Sequence, residues 1–260
     1  MSEEFKKIRV AVSGAAGRMG QAVLRIVAES RDLEIAAALV RTSASAATAS
    51  GSGLFATTLD RDVDANVLID FSGAQGFDAA LELAIERKLP LVCGSTGLAE
   101  TQQIALTVAA RSIPVLWASN FSLGVAVLAH LAAEAARLLP DWDCEIIEAH
   151  HRQKLDAPSG TALMLGQRIN SARGRANEDP RIDRSGARDS NSIGYAVSRS
   201  GDIVGEHEVR LAGLGERLEL IHRAGDRELF ARGALAAARW IVDKPAGRHE
   251  MADVLGLNGH

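Results

Sequence analysis

Apolar positions in the first half of the chain fall into two alternating rhythms. Short apolar runs at Ile8–Ser13, Leu33–Val40, Asn66–Phe71, Leu89–Cys93 and Ile113–Ala118 read as strands buried on both faces. Between them, Arg18–Ser30, Gln75–Lys88 and Ala99–Arg111 carry apolar residues at helical spacing, as at Val23, Leu24, Ile26 and Val27. Strand and helix in turn predict a parallel sheet covered on each side by helices, so Met1–Phe121 reads as a doubly wound domain. From Leu123 the rhythm changes. A helix over Leu123–Leu139 leads to a strand over Cys144–His150 and to a helix opening near Ser159. Tyr195–Ser198, Gly205–Ala212 and Leu218–His222 then follow as strands without intervening helices, which predicts a second domain built on a mixed or mostly antiparallel sheet. A last helix spans Glu228–Val242. Thr42–Gly53, rich in Ser, Ala and Gly, reads as a variable loop, and polar Arg173–Asn191 as a surface loop.

Composition removes several function classes. At 260 residues, 47% apolar and 24% charged, the chain is long enough for a real core and is not a disordered or low-complexity scaffold. Lys and Arg total 29 against 33 Asp and Glu, a net charge of −4, so the basic excess of a duplex-binding domain is missing and any anion site must be local. The charged start MSEEFKK lacks a secretory apolar core, and Leu123–Ala133 is too short to span a bilayer. Two cysteines, Cys93 and Cys144, give neither a disulfide framework nor a CxxC pair. The expectation is a cytoplasmic protein with no nucleic-acid or membrane partner.

Candidate chemistry begins between the first strand and the first helix, at Gly14-Ala15-Ala16-Gly17-Arg18-Met19-Gly20. Glycines there allow a phosphate to approach backbone N–H groups at a helix N-terminus, and Arg18 adds a cation. The spacing is GxxGxxG, a weak motif alone that its strand-to-helix setting strengthens. The end of the second strand reads Leu39-Val40-Arg41, without the carboxylate that binds ribose hydroxyls and with an arginine suited to a 2′-phosphate. NADPH is therefore expected to be preferred over NADH. Gly94-Ser95-Thr96-Gly97 and Ala118-Ser119-Asn120-Phe121 sit at carboxyl ends of strands, where open α/β sheets bind ligands.

The densest chemistry is the segment from Glu145 to Thr161, EIIEAHHRQKLDAPSGT. Adjacent His150 and His151 on a strand face opposite ways, so their functions should differ. Arg152 and Lys154 follow, and Pro158-Ser159-Gly160-Thr161 opens a helix whose free N–H groups can bind a carboxylate. Together they suggest a pocket for a small polyanion beside a group that exchanges protons near neutral pH. A basic surface turn with a structural histidine pair remains open. A metal site is disfavoured by poor chelate geometry, and a nucleophilic Ser159 by the lack of a GxSxG elbow.

These residues carry a resemblance. EAHHRQKLDAPSGTAL resembles the signature of the 4-hydroxy-tetrahydrodipicolinate reductases, formerly dihydrodipicolinate reductases, of lysine and diaminopimelate biosynthesis. SGAAGRMG, DFSGAQG, GSTGL, ASNFSLGVAVL, SGDIVGEHEV, GERLELIHRA and FARGAL agree in order, over nearly the whole chain. The resemblance implies an α/β protein with a Rossmann-type N-terminal domain (1–121, joined by the returning segment 228–260). It further implies an α+β substrate-binding and oligomerisation domain with an open mixed sheet (122–227), and a homotetramer. It implies reduction by NADPH or NADH of a cyclic imine bearing two carboxylates. Carried over, Gly14, Ala15, Ala16, Gly17, Arg18 and Met19 resemble the pyrophosphate loop, with Arg18 and Arg41 near the adenosine ribose. Gly94, Ser95, Thr96, Ala118, Ser119, Asn120 and Phe121 resemble the nicotinamide-positioning segments. His150 is similar to the general acid/base and Lys154 to the proton donor, while His151, Ser159, Gly160 and Thr161 resemble the carboxylate-binding group. Arg227 and Phe230 are further candidates for the cofactor cleft. Departures are Val40 where many bacterial members have glutamate, the missing proline–glutamate pair in DFSGAQG, and Gln153 in place of a frequent histidine. Another NAD(P)H-dependent amino-acid or semialdehyde dehydrogenase is the alternative enzyme. A non-catalytic dinucleotide sensor is the alternative from another class; it would need the glycine loop and have no use for the histidine–lysine cluster.

Overall fold

The computed structural model describes residues 7–40, 62–176, 179–182, 185–189 and 192–257. The chain divides into two compact units, Met1–Ser122 with Glu228–His260, and Leu123–Arg227. The first contains β1 (Ile8–Ser13), α1 (Arg18–Glu29), β2 (Leu33–Leu39), β3 (Val67–Asp70), α2 (Ala74–Glu86), β4 (Leu91–Cys93), α3 (Glu100–Ala109) and β5 (Pro114–Trp117). The second contains α4 (Leu123–Leu138), β6 (Asp143–His150), α5 (Gly160–Ala172), β7 (Ile193–Arg199), β8 (Gly205–Ala212) and β9 (Arg217–Ala224). The chain then returns to the first unit with α6 (Glu228–Ile241), β10 (Gly247–His249) and α7 (Met251–Val254).

In the first unit all six strands are parallel, in the order β10-β5-β4-β3-β1-β2. Val10, Val12, Leu68, Ile69, Leu91 and Val92 are fully buried, because helices lie on both faces of the sheet. α1 buries Gly20, Val23, Leu24 and Val27, one face at helical spacing, and packs against α6. The chain leaves β1 for β2 on one side and returns to β3 on the other. The carboxyl ends of β1 and β3 therefore flank the point where strand order reverses, the crevice in which such sheets bind ligands. Strand β10 had no counterpart in the sequence pattern. Gly247-Arg248-His249 has no apolar side chain, and it is a strand because it pairs with β5, where the Arg248 guanidinium lies 5.4 Å from the Trp117 ring centre.

The second unit carries the mixed sheet β7-β6-β8-β9, with β6 parallel to β7 and antiparallel to β8. Alternation along β6 turns Cys144, Ile146, Glu148 and His150 toward the buried face. There Leu128 and Ala132 of α4, Leu165 and Ile169 of α5, and Val209 and Leu211 of β8 complete the core. Two carboxyl-terminal residues of a buried strand face are thus ionisable, which marks where the packing gives way to chemistry. Among the described residues no helix is long and apolar enough to cross a membrane.

Candidate functional site

In the first unit the glycine loop is shaped by contacts that only glycine permits. Gly14 has φ +77°, and a Cβ there would lie 2.6 Å from the Phe71 carbonyl and 2.7 Å from Ser72 N. A Cβ on Gly20 would lie 2.3 Å from the Gly14 oxygen, so helix α1 starts pressed against the loop. Ala15 N–H donates to Leu39 O (3.1 Å), and the Gln21 amide donates to Ala15 O (2.7 Å), fixing the loop between β1 and β2. Gly17 caps α1 without a side-chain hydrogen bond, and Arg18 is exposed. Uncapped N–H groups at a helix start, a close-approach loop and an exposed guanidinium fit a dinucleotide pyrophosphate.

The loops after β3, β4 and β5 are sewn together by a carboxylate. Asp70 is fully buried and accepts from Ser95 Oγ (2.6 Å), Ser72 N (3.1 Å) and the Cys93 thiol (3.5 Å). Ser95 Oγ also accepts from Gly73 N (2.9 Å), and Ser95 O accepts from the Trp117 indole (3.1 Å). The Ser95 hydroxyl is thus engaged within the fold, and what it gives the rim is shape. Gly94 packs against the Phe71 ring, which a Cβ would meet at 2.1 Å, and Phe121 stacks edge-on to Phe71 at 5.8 Å. Thr96 and Ser119 are exposed, Ala118 is half-buried, and Asn120 Oδ1 accepts from Ser122 N (2.8 Å). Phe230 lies half-buried in α6. Arg41 and Thr42–Gly53 fall outside the described residues.

In the second unit the two histidines part company. His150 ends β6 on the buried face, and its Nδ1 lies 2.5 Å from Glu148 Oε2. Glu148 is itself 1% exposed and accepts both Arg199 Nη1 and Nη2 at 2.9 Å, together with Ser159 N at 3.0 Å. Burial opposes the charge on Glu148, but the hydrogen bonds from His150, Arg199 and Ser159 outweigh it and hold the carboxyl at about 2. His207 of β8 stacks edge-on to His150, ring centres 5.1 Å apart, and its Nε2 lies 3.1 Å from Ser159 Oγ. Burial, aided by the positive field of His150, pushes His207 down to about 4.

His151 lies beyond the strand, where Arg227 Nη2 donates to its Nε2 at 3.1 Å. Desolvation, then the nearby charge of Arg227, lowers its pKa. His151, Arg152, Gln153, Gly201, Asp202 and Arg227 line a cavity of about 580 Å³, of a size for a small ligand and with two guanidiniums to one carboxylate. Lys154 Nζ sits 2.8 Å from Asp156 Oδ1, and Arg199 Nη2 also donates to Asp156 O (2.6 Å), so one guanidinium ties this loop to the Glu148 carboxylate. Ser159 caps α5 by accepting from Ala162 N (3.2 Å), and Gly160 and Thr161 form the helix's first turn. The second unit thus gathers an imidazole at the end of β6 with an ammonium group and a helix N-terminus in the segment that follows it.

Family models match the chain in two consecutive parts: Dihydrodipicolinate reductase, N-terminus, over residues 8–121, and Dihydrodipicolinate reductase, C-terminus, over residues 124–255. The chain belongs to the dihydrodipicolinate reductase family. It is 49% identical to the 4-hydroxy-tetrahydrodipicolinate reductase of Xanthomonas euvesicatoria pv. vesicatoria (strain 85-10), over 95% of this chain and 98% of that one. It is 44% identical to the namesake from Xylella fastidiosa (strain 9a5c) with the same coverage. Among solved structures it resembles a dipicolinate-bound dihydrodipicolinate reductase from Paenisporosarcina sp. TG-14, with TM-score 0.76, 26% identity and coverage of 95% and 98%. A scyllo-inositol dehydrogenase from Lactobacillus casei, at 13% identity and TM-score 0.61 over 96% of this chain and 93% of that one, shares the fold. Membership brings a Rossmann-type unit suited to NAD(P)H and a small-molecule substrate.

Four residues in the candidate regions of the two units were not singled out from sequence: Glu148, Arg199 and His207 in the second and Asp70 in the first. Glu148 had a signal, since it sits two positions before His150 on a strand and so shares its face. His207 had a similar one, a polar residue in phase with buried Val209 and Leu211. Arg199 had none, because its partner is 51 residues away.

Proposed function

We propose that this chain reduces the cyclic imine derived from 4-hydroxy-tetrahydrodipicolinate to tetrahydrodipicolinate, with NAD(P)H, in lysine and diaminopimelate biosynthesis. The observation that carries the reading is the His150–Glu148 pair, set one turn of loop from Lys154 and the α5 N-terminus, in a chain of this family. The first unit is the dinucleotide-binding domain, joined by the segment 228–260, and residues 122–227 form the substrate domain. Gly14, Ala15, Ala16, Gly17, Arg18 and Met19 hold the pyrophosphate, and the rim formed by Gly94 to Thr96 and Ala118 to Phe121 receives the nicotinamide, which supplies the hydride when bound. Arg227 and Phe230 are assigned to cofactor binding.

Loss of water from the hydroxylated ring gives a conjugated imine, and hydride addition to that conjugated system delivers electron density to the ring nitrogen, which must be protonated. His150 supplies that proton, with Lys154 as the second donor; such general acids contribute about 10²–10⁴-fold. His151, Gly160 and Thr161 hold a substrate carboxylate, and Ser159 shapes their turn as its cap. Lys154 exchanges its ion pair with Asp156 for one with the substrate. NADPH is the preferred donor, supported by Val40 and Arg41 where a ribose-binding carboxylate would otherwise stand. The protein works in the cytoplasm as a homotetramer. The outer face of the mixed sheet, where Ile221 is 45% exposed, suits association through that sheet.

The test is loss of NADPH and of NADH absorbance when the substrate is generated in situ from pyruvate and aspartate semialdehyde by its synthase. Rapid, synthase-dependent oxidation is expected, faster with NADPH. His150→Ala and Lys154→Ala should each lower turnover by about 10²-fold or more with cofactor affinity preserved. Absence of oxidation by a chain that binds both cofactors would refute the proposal.

A further inference from the structure

We infer that Glu148 is a positioning residue that decides which nitrogen of His150 meets the substrate, and that Arg199 holds Glu148 in place as a carboxylate. The inference rests on the reading that His150 exchanges a proton with substrate. A carboxylate only accepts hydrogen bonds. With Glu148 ionised and Oε2 2.5 Å from Nδ1, the ring keeps a proton on Nδ1 in both its neutral and its charged form. Nε2 is then the only nitrogen left to give or take a proton.

The surroundings agree. Nε2 faces Gly205, where an added Cβ would stand 3.1 Å away, so any other residue there would press on that nitrogen, and 10% of the His150 side chain remains exposed. On the opposite side Glu148 has no freedom to turn. Its two oxygens are clamped by the Arg199 fork and by Ser159 N, from two different parts of the chain. The charged and titratable groups facing this ring are Glu148 on β6, His207 on β8 with His222 beyond it on β9, Arg199 ending β7, and His151, Lys154 and Asp156 in the following loop. Of these, Glu148 alone touches Nδ1. As the substrate nitrogen gains its electron pair, the proton on Nε2 moves to it. His150 is left neutral with Nδ1–H still on Glu148, and a proton from water restores the imidazolium.

Replacing Glu148 with glutamine keeps the shape and inverts the logic. The amide NH₂ that faces His150 or Arg199 sets donor against donor. With NH₂ toward His150, Nδ1 becomes an acceptor, and the neutral ring carries its proton on Nε2. For a folded Glu148→Gln protein, kcat should fall about 10²-fold or more. The alkaline limb of its pH profile should move to lower pH, because the carboxylate that accepts from Nδ1 is gone. The KM for NADPH should stay at the wild-type value. A merely structural role would move stability and leave the pH profile alone.

The second measurement needs no such variant. Long-range ¹H–¹⁵N spectra of the wild-type protein, with His150 assigned by comparison with His150→Ala, should show the neutral ring protonated on Nδ1. Protonation on Nε2, or a Glu148→Gln enzyme with wild-type kcat and pH profile, overturns the inference. Unchanged turnover in His150→Ala would instead remove the proton-transfer role on which it rests, and the spectrum still decides the tautomer.

Discussion

His207 should make the native state sensitive to mild acid, and replacing it with glutamine should remove that sensitivity. Its side chain belongs to a residue 4% exposed, its Nδ1 is buried without a hydrogen-bond partner, and its Nε2 meets Ser159 Oγ. In the unfolded chain the imidazole takes up a proton near pH 6.5, whereas in the folded chain burial and the field of His150 delay uptake to about pH 4. Across that window the unfolded state binds more protons, so unfolding free energy falls as pH falls, and the loss is complete below the folded value. At 1.36 kcal/mol per pH unit, the displacement from 6.5 to about 4 amounts to roughly 3 kcal/mol. That is a large part of the 5–15 kcal/mol of a typical domain. Glutamine does not titrate and its amide reaches toward Ser159 Oγ. Urea unfolding of both proteins at pH 7.5 and 4.5, followed through Trp142 of the same unit, gives the comparison. Glu148, held at about 2, adds its own loss below the ordinary glutamate range, but it does so in both proteins and cancels in the difference. The wild type should lose roughly 2–3 kcal/mol more than His207→Gln on acidification. Equal losses would mean that His207 is already charged in the folded state, and the buried neutral ring would have to be abandoned.

Two further substitutions separate loop shape from loop chemistry. Gly20→Ala places a Cβ 2.3 Å from the Gly14 oxygen and 2.8 Å from Ala15 Cα, both backbone atoms that move only with the loop. It should cost about 1–3 kcal/mol in thermal or urea unfolding and raise the KM for NADPH, and an unchanged KM would detach the loop from cofactor binding. Ser159→Ala removes the α5 cap and the partner of His207, and should lower stability by about 1 kcal/mol while raising the KM for the imine. A variant with lower stability and wild-type KM would leave Ser159 a cap and nothing more.

What was legible in the sequence was local. β1, the Gly14 turn and α1 lie within 22 consecutive residues, and their pattern of apolar run, glycines and helical spacing needs no tertiary information. Strand alternation predicts that His150 and His151 part, and they do, with His151 just past the end of β6: one ring faces Glu148 while the other meets Arg227. β10 was invisible for the opposite reason, since its only qualification as a strand is the neighbour it finds in β5, more than 130 residues earlier. Asp70 closes an apolar strand in the sequence, but its meaning comes from Ser95 in the loop after the next strand, 25 residues away.

The same contrast runs through the proposed catalytic cluster and says how it is built. Residues 150–161 supply the groups assigned to the reaction, His150, Lys154 and a helix N-terminus, from one short stretch that a reader of sequence can find. The sheet supplies their control. Cross-strand register sets Glu148 beside His207, and His207 beside His222, while β7 ends at the arginine that clamps Glu148. No spacing along the chain announces those neighbours, because each arrives from a different strand. A change in the loop should therefore alter turnover directly, as for Lys154, whereas a change on the sheet should act through the protonation of His150. The pH profile distinguishes them: Lys154→Ala should lower kcat at every pH, and Glu148→Gln should also shift where kcat falls.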